Sequence, residues 1–423
     1  METRIQIPKI RLREAHCHLP SLGRSLSQLD VAQVASKEEL LGRLAESAQK
    51  LPSDAWLIAI GMRVEAWEKP QWPSRIELDA ISAGHPCIVR GFDFHSLVAN
   101  SAALAAAKVS ESTSDPAAGM YRRDDDGKLS GVCLEAAANH VWSAVPEPSE
   151  IERENHIRAG LKHLAAFGFT EIDDLLSPPW LGAMLAKMSD SGELHIKVRL
   201  FPPVAELGES VKHAKKWGRE NVNLAGGKLF ADGSLNARTA WMLEPYADGH
   251  KGQECGLPNW SADQLVDAVK ECERFDLPLA THAIGDRAVR EVLNAIERGS
   301  TKSSIRHRIE HCEVMSSEDV PRFAKMGVIA SVQPCHLLYD IEVLRRAAPD
   351  RLGRVLPLRK LIDSGCRPGE LLIFGSDVPI VPADPRDSIQ AAVFRRRIGM
   401  QESDAIGMDQ AISEAEAWRC FAT

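Results

Sequence analysis

Two histidines one residue apart, His16-Cys17-His18, head the side chains that could do chemistry. In an extended segment, residues two apart point to the same side, so both imidazoles can meet one cation. By itself the spacing is weak, since histidine pairs in loops are common. His282 in Leu279-Ala-Thr-His282 and His311 in Arg308-Ile-Glu-His311 each close an apolar, strand-like run. Either one alone is more often a hydrogen-bonded core residue than a ligand. Asp377 in Leu372-Ile-Phe-Gly-Ser-Asp377 repeats the pattern, and an Asp there could equally cap the next helix.

Lys228 is the most telling residue. It sits in Leu224-Ala-Gly-Gly-Lys228-Leu-Phe-Ala, a run expected to be buried on both faces of a strand. An ammonium there is costly unless it is paired or discharged. At a reference pKa near 10.4 only ~1 lysine in 2,500 is neutral at pH 7, and burial can lower that pKa by ~3–5. A neutral amine can add carbon dioxide to become a carbamate, an anion able to bridge two metal ions. The plainer alternative is a lysine whose stem packs while its head reaches a salt bridge.

The elements that must position these residues show a βα rhythm. Strand candidates are Leu12–His16, the Phe169-Thr-Glu-Ile-Asp-Asp run, His195–Phe201, Leu224–Phe230, Pro278–His282, Ile305–His311, Val328–Gln333 and Leu371–Ser376. One helix is expected to begin at the Ser149–Glu152 capping box and stop at Gly168, and others lie near 261–275, 286–298, 317–326 and 356–364, with Gly299, Gly327 and Gly365 where three should end. A further helix, begun by Ser36 and Glu39, follows the first strand. Eight strands alternating with helices favour a (β/α)8 TIM barrel, with an open doubly wound sheet as the alternative. His16, His18, Lys228, His282, His311 and Asp377 then lie at or near the ends of strands one, four, five, six and eight. In a barrel those ends converge on one rim, where four imidazoles and two anions suit two divalent cations.

The stretch from about 50 to 148 breaks the rhythm with seven of the 24 prolines and an acidic turn at Asp124-Asp-Asp-Gly127. It is expected to be an inserted subdomain, giving a first barrel unit over 11–49, the insert over 50–148 and the rest of the barrel over 149–423. Trp67 and Trp72 in the insert either cover a pocket or pack the subdomain.

Composition narrows the function classes. The 423 residues hold 51 Lys and Arg against 59 Asp and Glu, so the formal net charge is −8, with no electrostatic footprint for nucleic acid or anionic lipid. No apolar run approaches the ~18–20 residues that span a bilayer, and the first residues lack the apolar stretch of a secretory signal. The nine cysteines are scattered, with no Cys-x-x-Cys pair, as free thiols in a reducing compartment would be. A cytoplasmic protein with a small-molecule substrate is expected, with a homodimer left open as its assembly.

With these residues in hand, the chain resembles the amidohydrolase superfamily, and within it the amidohydrolase family 3 branch. The matching stretches are Glu14-Ala-His-Cys-His18, His95-Ser-Leu-Val-Ala-Asn-Ser-Ala-Ala-Leu104, Gly131-Val-Cys-Leu-Glu135, Lys228-Leu-Phe-Ala-Asp-Gly-Ser-Leu-Asn-Ala-Arg-Thr-Ala240, Thr281-His-Ala-Ile-Gly-Asp286, Arg308-Ile-Glu-His311 and Gly375-Ser-Asp-Val-Pro379. The resemblance implies His16 and His18 on the more buried metal, His282 and His311 on the other, and a carboxylated Lys228 bridging both. Asp377 would bind the first metal and shuttle the proton. It also places His95, Glu135, Asp232 and Arg238 near the substrate pocket. Zinc is the ion expected from the imidazole-rich set, and the reaction is hydrolysis of a carbon–nitrogen bond in a small amide, N-acyl or N-formyl compound. Two rivals are a mononuclear-metal deaminase of the same superfamily and a non-catalytic barrel that only binds. Glu14 stands where family members usually carry Asp, and Met62, expected at a pocket wall, where they usually carry Trp. The small β-sandwich that typically flanks the family's barrel is expected to be largely absent.

Overall fold

The computed structural model describes residues 5–117, 119–249 and 252–423. The chain divides into two compact units, one running up to Gly23 and resuming at Ile157, the other spanning Arg24–His156.

Among the described residues, the first unit is built on nine short strands: β1 (Leu12–Cys17), β2 (Phe169–Leu175), β3 (Lys197–Phe201), β4 (Val222–Leu224), β5 (Gly227–Phe230), β6 (Leu279–Ala283), β7 (Arg308–His311), β8 (Ile329–Val332) and β9 (Leu372–Phe374). They form two all-parallel sheets, β1-β2-β3-β4 and β5-β6-β7-β8-β9. Parallel bridges between Pro203, just past β3, and Lys228, and between Cys17 and Val378, link the two sheets. Parallel strands are covered on both faces, which is why they read as nearly continuous apolar runs. Val198, Leu229, Ile309, Val332 and Phe374 are all buried in one core with the helix residues Leu293, Phe323 and Leu361.

The run expected as one strand over Leu224–Phe230 is two, β4 and β5, broken at Ala225-Gly226. Here the chain changes partner. Ala225 N–H donates to Leu200 O, whereas Gly227 N–H donates to Pro278 O. A Cβ on Gly226 would lie 2.6 Å from both the Phe201 ring and Pro278 O, so only glycine permits the crossing.

Helices fall between the strands as the rhythm requires. Ala262–Arg274 begins with a reciprocal Ser261–Gln264 capping box, and Val320–Met326 ends at Gly327 in the left-handed region. The helix begun by Ser36 is present as Lys37–Ala48, but it belongs to the Arg24–His156 unit. A shorter helix, Leu19–Ser25, follows β1 directly. Among the described residues no helix is long and apolar enough to cross a membrane.

Glu273, in the last turn of Ala262–Arg274, fastens that helix to the approach to β7. Its carboxylate accepts hydrogen bonds from Ser300 Oγ, Thr301 N and Oγ1, and His307 Nε2. Burial alone would raise its pKa, yet these bonds pull it from 4.5 down to about 2. A carboxyl depressed in the folded state stabilises above its unfolded value, and that contribution disappears as pH falls through the folded one. Glu273→Gln should therefore cost up to ~3 kcal/mol near pH 7. In denaturant titrations the difference from the wild type should shrink towards about pH 3.

The second unit contains a six-stranded mixed sheet, parallel through Leu29–Asp30, Leu57–Met62 and Cys87–Gly91 and antiparallel through Ser96–Ala99, Leu129–Glu135 and Gly119–Arg123. Trp67 is buried with its indole N–H donating to Val34 O at 2.8 Å, and Trp72 packs on the same cluster. Both tryptophans thus pack this unit's core. Met62 is buried in that core as well.

Candidate metal centre

All six side chains singled out for metal chemistry lie in the first unit, at or just past strand ends. His16 is in β1 with His18 behind it, Lys228 is in β5, His282 in β6, His311 closes β7, and Asp377 follows β9. Asp377 N–H donates to His16 O at 2.7 Å and His18 N–H to Val378 O at 2.9 Å, fastening the first and last strand ends together. Asp377 Oδ1 lies 3.3 Å from His16 Nε2 and 3.0 Å from His18 Nε2. The His311 ring centroid is 4.9 Å from that of His16 and 4.4 Å from that of His282. Phe230, paired in register with His282, lies 4.8 Å below Lys228 Nζ and 5.0 Å from the His282 ring. His311 (φ 72°) and Asp377 (φ 67°) adopt left-handed backbone although neither is glycine. Such conformations cost ~1–3 kcal/mol and persist only where surrounding contacts over-determine them.

The donor set fits divalent ions. Among the described residues, Lys228 Nζ and His311 Nδ1 are buried atoms with no hydrogen-bond partner, and Asp377 Oδ1 faces the ring nitrogens of His16 and His18. The ligand atoms of His16, His311 and Asp377 lie within 4.8 Å of one another, and lone pairs grouped in this way are what a cation would satisfy. Burial pushes His16 and His311 well below the usual imidazole value, leaving the neutral rings that ligation requires. Burial also lowers Lys228 from 10.5 to about 8, against the opposing pull of Glu310 and Asp377. Outer partners aim the rings. His16 Nδ1 lies 2.8 Å from Glu310 Oε2, and His282 Nε2–H donates to Gly233 O at 3.0 Å, which leaves the opposite nitrogen of each ring for a metal.

Glu14 is part of the same frame. Its Oε1 accepts from His16 N–H (3.0 Å) and Ser376 N–H (2.7 Å), spanning the two strand ends that carry His16 and Asp377. The backbones approach closely there: a Cβ on Gly375 would lie 2.5 Å from His16 N and 2.7 Å from His16 Cβ. Gly375→Ala should displace the His16 backbone and lower thermal stability by ~1–3 kcal/mol, the usual cost of overpacking. Metal content should fall with it, and calorimetry beside metal analysis would record both losses.

The sequence profile of the amidohydrolase family matches residues 12–423. The chain belongs to the amidohydrolase family. YtcJ of Bacillus subtilis (strain 168) is 28% identical over 96% of this chain and 77% of its own length. An N-substituted formamide deformylase of Arthrobacter pascens is 23% identical over 94% of this chain and 76% of its own. The crystal structure of a metal-dependent hydrolase from Pyrococcus horikoshii OT3 superposes with a TM-score of 0.73 at 25% identity, covering 96% of this chain and 78% of that one. Family membership makes the chain a metal-dependent hydrolase of carbon–nitrogen bonds.

The residues expected near an amidohydrolase substrate pocket are placed differently from one another. Asp232 is fully buried, and its carboxylate accepts from the backbone N–H groups of Trp241, Ile284 and Gly285. Arg238 is buried and forked onto Asp248 at 2.9 and 2.7 Å. Both fasten loops beside β5 and β6. His95 and Glu135 lie in the second unit, paired at 2.8 Å, with Glu135 at a positive φ of 53°.

Sequence reasoning missed a second ring of polar residues. His336 Nδ1 lies 3.2 Å from Glu313 Oε1, and its Nε2 lies 3.1 Å from Ser376 O and 3.9 Å from Asp377 Oδ2. His311, Glu313 and His336 themselves form a group whose ligand atoms lie within 4.8 Å of one another. The available signal was positional: Glu313 and His336 follow the carboxyl ends of β7 and β8, the same side as the six.

Proposed function

We propose that this amidohydrolase is a (β/α)8 barrel with an inserted unit after its first strand, holding two divalent ions and hydrolysing a small N-acyl or N-formyl amine. The observation that carries the reading is the buried Lys228 Nζ, without a hydrogen-bond partner, on the strand paired with the one that carries His282. His16, His18 and Asp377 would hold one ion and His282 and His311 the other. Zinc suits a set dominated by imidazole. At a pKa of about 8, a useful fraction of Lys228 is neutral near pH 7. That amine would add carbon dioxide and release one proton, and the resulting anionic carbamate would supply Lys228 as a ligand for the metal pair.

When bound, the metal pair lowers the pKa of water towards ~7 and polarises the scissile carbonyl. Asp377 takes the proton of the attacking water on its carboxylate and returns it to the leaving nitrogen. Glu310 keeps the His16 ring oriented throughout. A mononuclear deaminase would leave Lys228 without a role, so the two-ion reading is preferred.

Amine release from a panel of small N-formyl and N-acyl amines, measured with zinc-loaded protein, tests the substrate class. Turnover of at least one member, lost on chelation and restored by zinc, is expected. Deamination of a nucleobase or amino-heterocycle without activity on that panel would contradict it.

A further inference from the structure

Arg308 is a buried guanidinium at the start of β7, and it holds a residue it does not touch. Its Nε donates to Glu310 Oε1 at 2.5 Å and its Nη1 to Asp173 Oδ2 at 2.5 Å. Nη2 donates to Ala15 O at 2.6 Å, to Ser331 Oγ at 2.9 Å and to Glu310 Oε2 at 3.1 Å. The Phe201 ring closes one side, 5.2 Å from Cζ. Every nitrogen of the fork is engaged, and the partners sit on β1, β2, β7 and β8.

Two of those partners bear on His16. Ala15 O belongs to the peptide that leads into His16. Glu310 Oε2 receives His16 Nδ1 at 2.8 Å, which leaves Nε2 facing Asp377. One planar cation therefore fixes the backbone of His16 and, through Glu310, the angle and tautomer of its ring. A lysine in the same place would supply the charge but no rigid fork, and could not address Ala15 O and both Glu310 oxygens together.

We propose that Arg308 is the positioning residue of the metal centre, setting the His16 backbone through Ala15 O and the His16 imidazole through Glu310. This rests on the reading of His16 as a metal ligand. Asp173 and Ser331 anchor the guanidinium so that its orientation does not follow the ligand.

Zinc affinity separates this role from a merely structural one. It is measured on metal-free protein by competition with a chromogenic chelator, alongside the thermal midpoint of the same metal-free samples. Glu310→Gln keeps the size of the side chain and an oxygen for Arg308, so it should fold. It should weaken the tightest zinc site by ~10–100-fold, the usual cost of losing a ligand's outer partner. Arg308→Lys should weaken it comparably despite keeping the charge. Arg199→Gln removes another cation from Asp173, at 3.2 Å, without touching Ala15 or Glu310, and should leave zinc affinity unchanged. Glu310→Gln and Arg308→Lys proteins that bind zinc as tightly as the wild type would overturn the inference while leaving the metal centre standing. Equal weakening in Arg199→Gln would also overturn it, because the effect would then be general loosening. A wild-type chain that takes up no zinc would overturn the proposed function itself, and this inference with it.

Discussion

Asp377→Asn should lower hydrolytic turnover by ~10²–10⁴-fold while the protein keeps most of its metal. The substitution preserves the size of the side chain and an oxygen that can face His16 and His18, so the ligand role survives in part. What it removes is a carboxylate able to accept and return a proton. The two oxygens of Asp377 look in different directions, Oδ1 towards His16 and His18 and Oδ2 towards His336 at 3.9 Å. KM for an N-formyl substrate should change far less than kcat, because the lost interaction matters only as the proton moves. Steady-state kinetics beside metal analysis of the same preparation checks both halves. Turnover within a few-fold of wild type would remove Asp377 from the proton-transfer role.

Lys228→Met should have the opposite balance: metal lost, activity lost, and a metal-free chain more stable than the wild type. The ammonium is 1% exposed and has no hydrogen-bond partner, so the folded protein bears its desolvation unrelieved. Burial lowers this amine from 10.5 to about 8. A lysine depressed on folding opposes folding at pH below its folded value, and the penalty fades as pH rises from about 8 towards 10.5. Near pH 7 the penalty amounts to roughly 3 kcal/mol, the amount an apolar side chain of similar length would relieve. Denaturant titration of both chains, metal-free and in carbon-dioxide-free buffer, should show the gain at pH 7 and its decline at about pH 10. Stability sacrificed at one buried position is what a functional lysine predicts, and a packed structural lysine would show the reverse.

These expectations draw on features that differ in how legible they were. Lys228, His282, His311 and Asp377 stood out because each is a polar residue ending or interrupting an apolar run, where burial makes an unpartnered polar group costly. The strands around them were legible for the same reason: buried on both faces, they carry uninterrupted apolar side chains. The break at Ala225-Gly226 was not, because it depends on where Phe201 and Pro278 approach the chain. Capping residues marked the start of Lys37–Ala48 correctly, but nothing local could say which compact unit the helix joins. Helices such as Leu181–Asp190 and Leu337–Ala347 escaped notice because neither has a side-chain cap at its start. Glu310 and Arg308 were visible only as parts of an Arg-Ile-Glu-His run. Their alternation puts both on one face of β7, and only the fold shows that this face meets Ala15, Asp173 and His16. Asp232 and Arg238 show the converse. The resemblance singled them out, and in the fold Asp232 meets backbone amides and lies 3.5 Å from His282 Nε2, while Arg238 is forked onto Asp248.

Divalent-metal content per chain, measured by mass spectrometry on wild-type and Lys228→Ala protein reconstituted with zinc and bicarbonate, addresses the centre most directly. Two equivalents in the wild type, falling to one or none in the variant, is the result the six-residue centre predicts. A wild-type chain that retains none, or a variant that retains as much as the wild type, would contradict it.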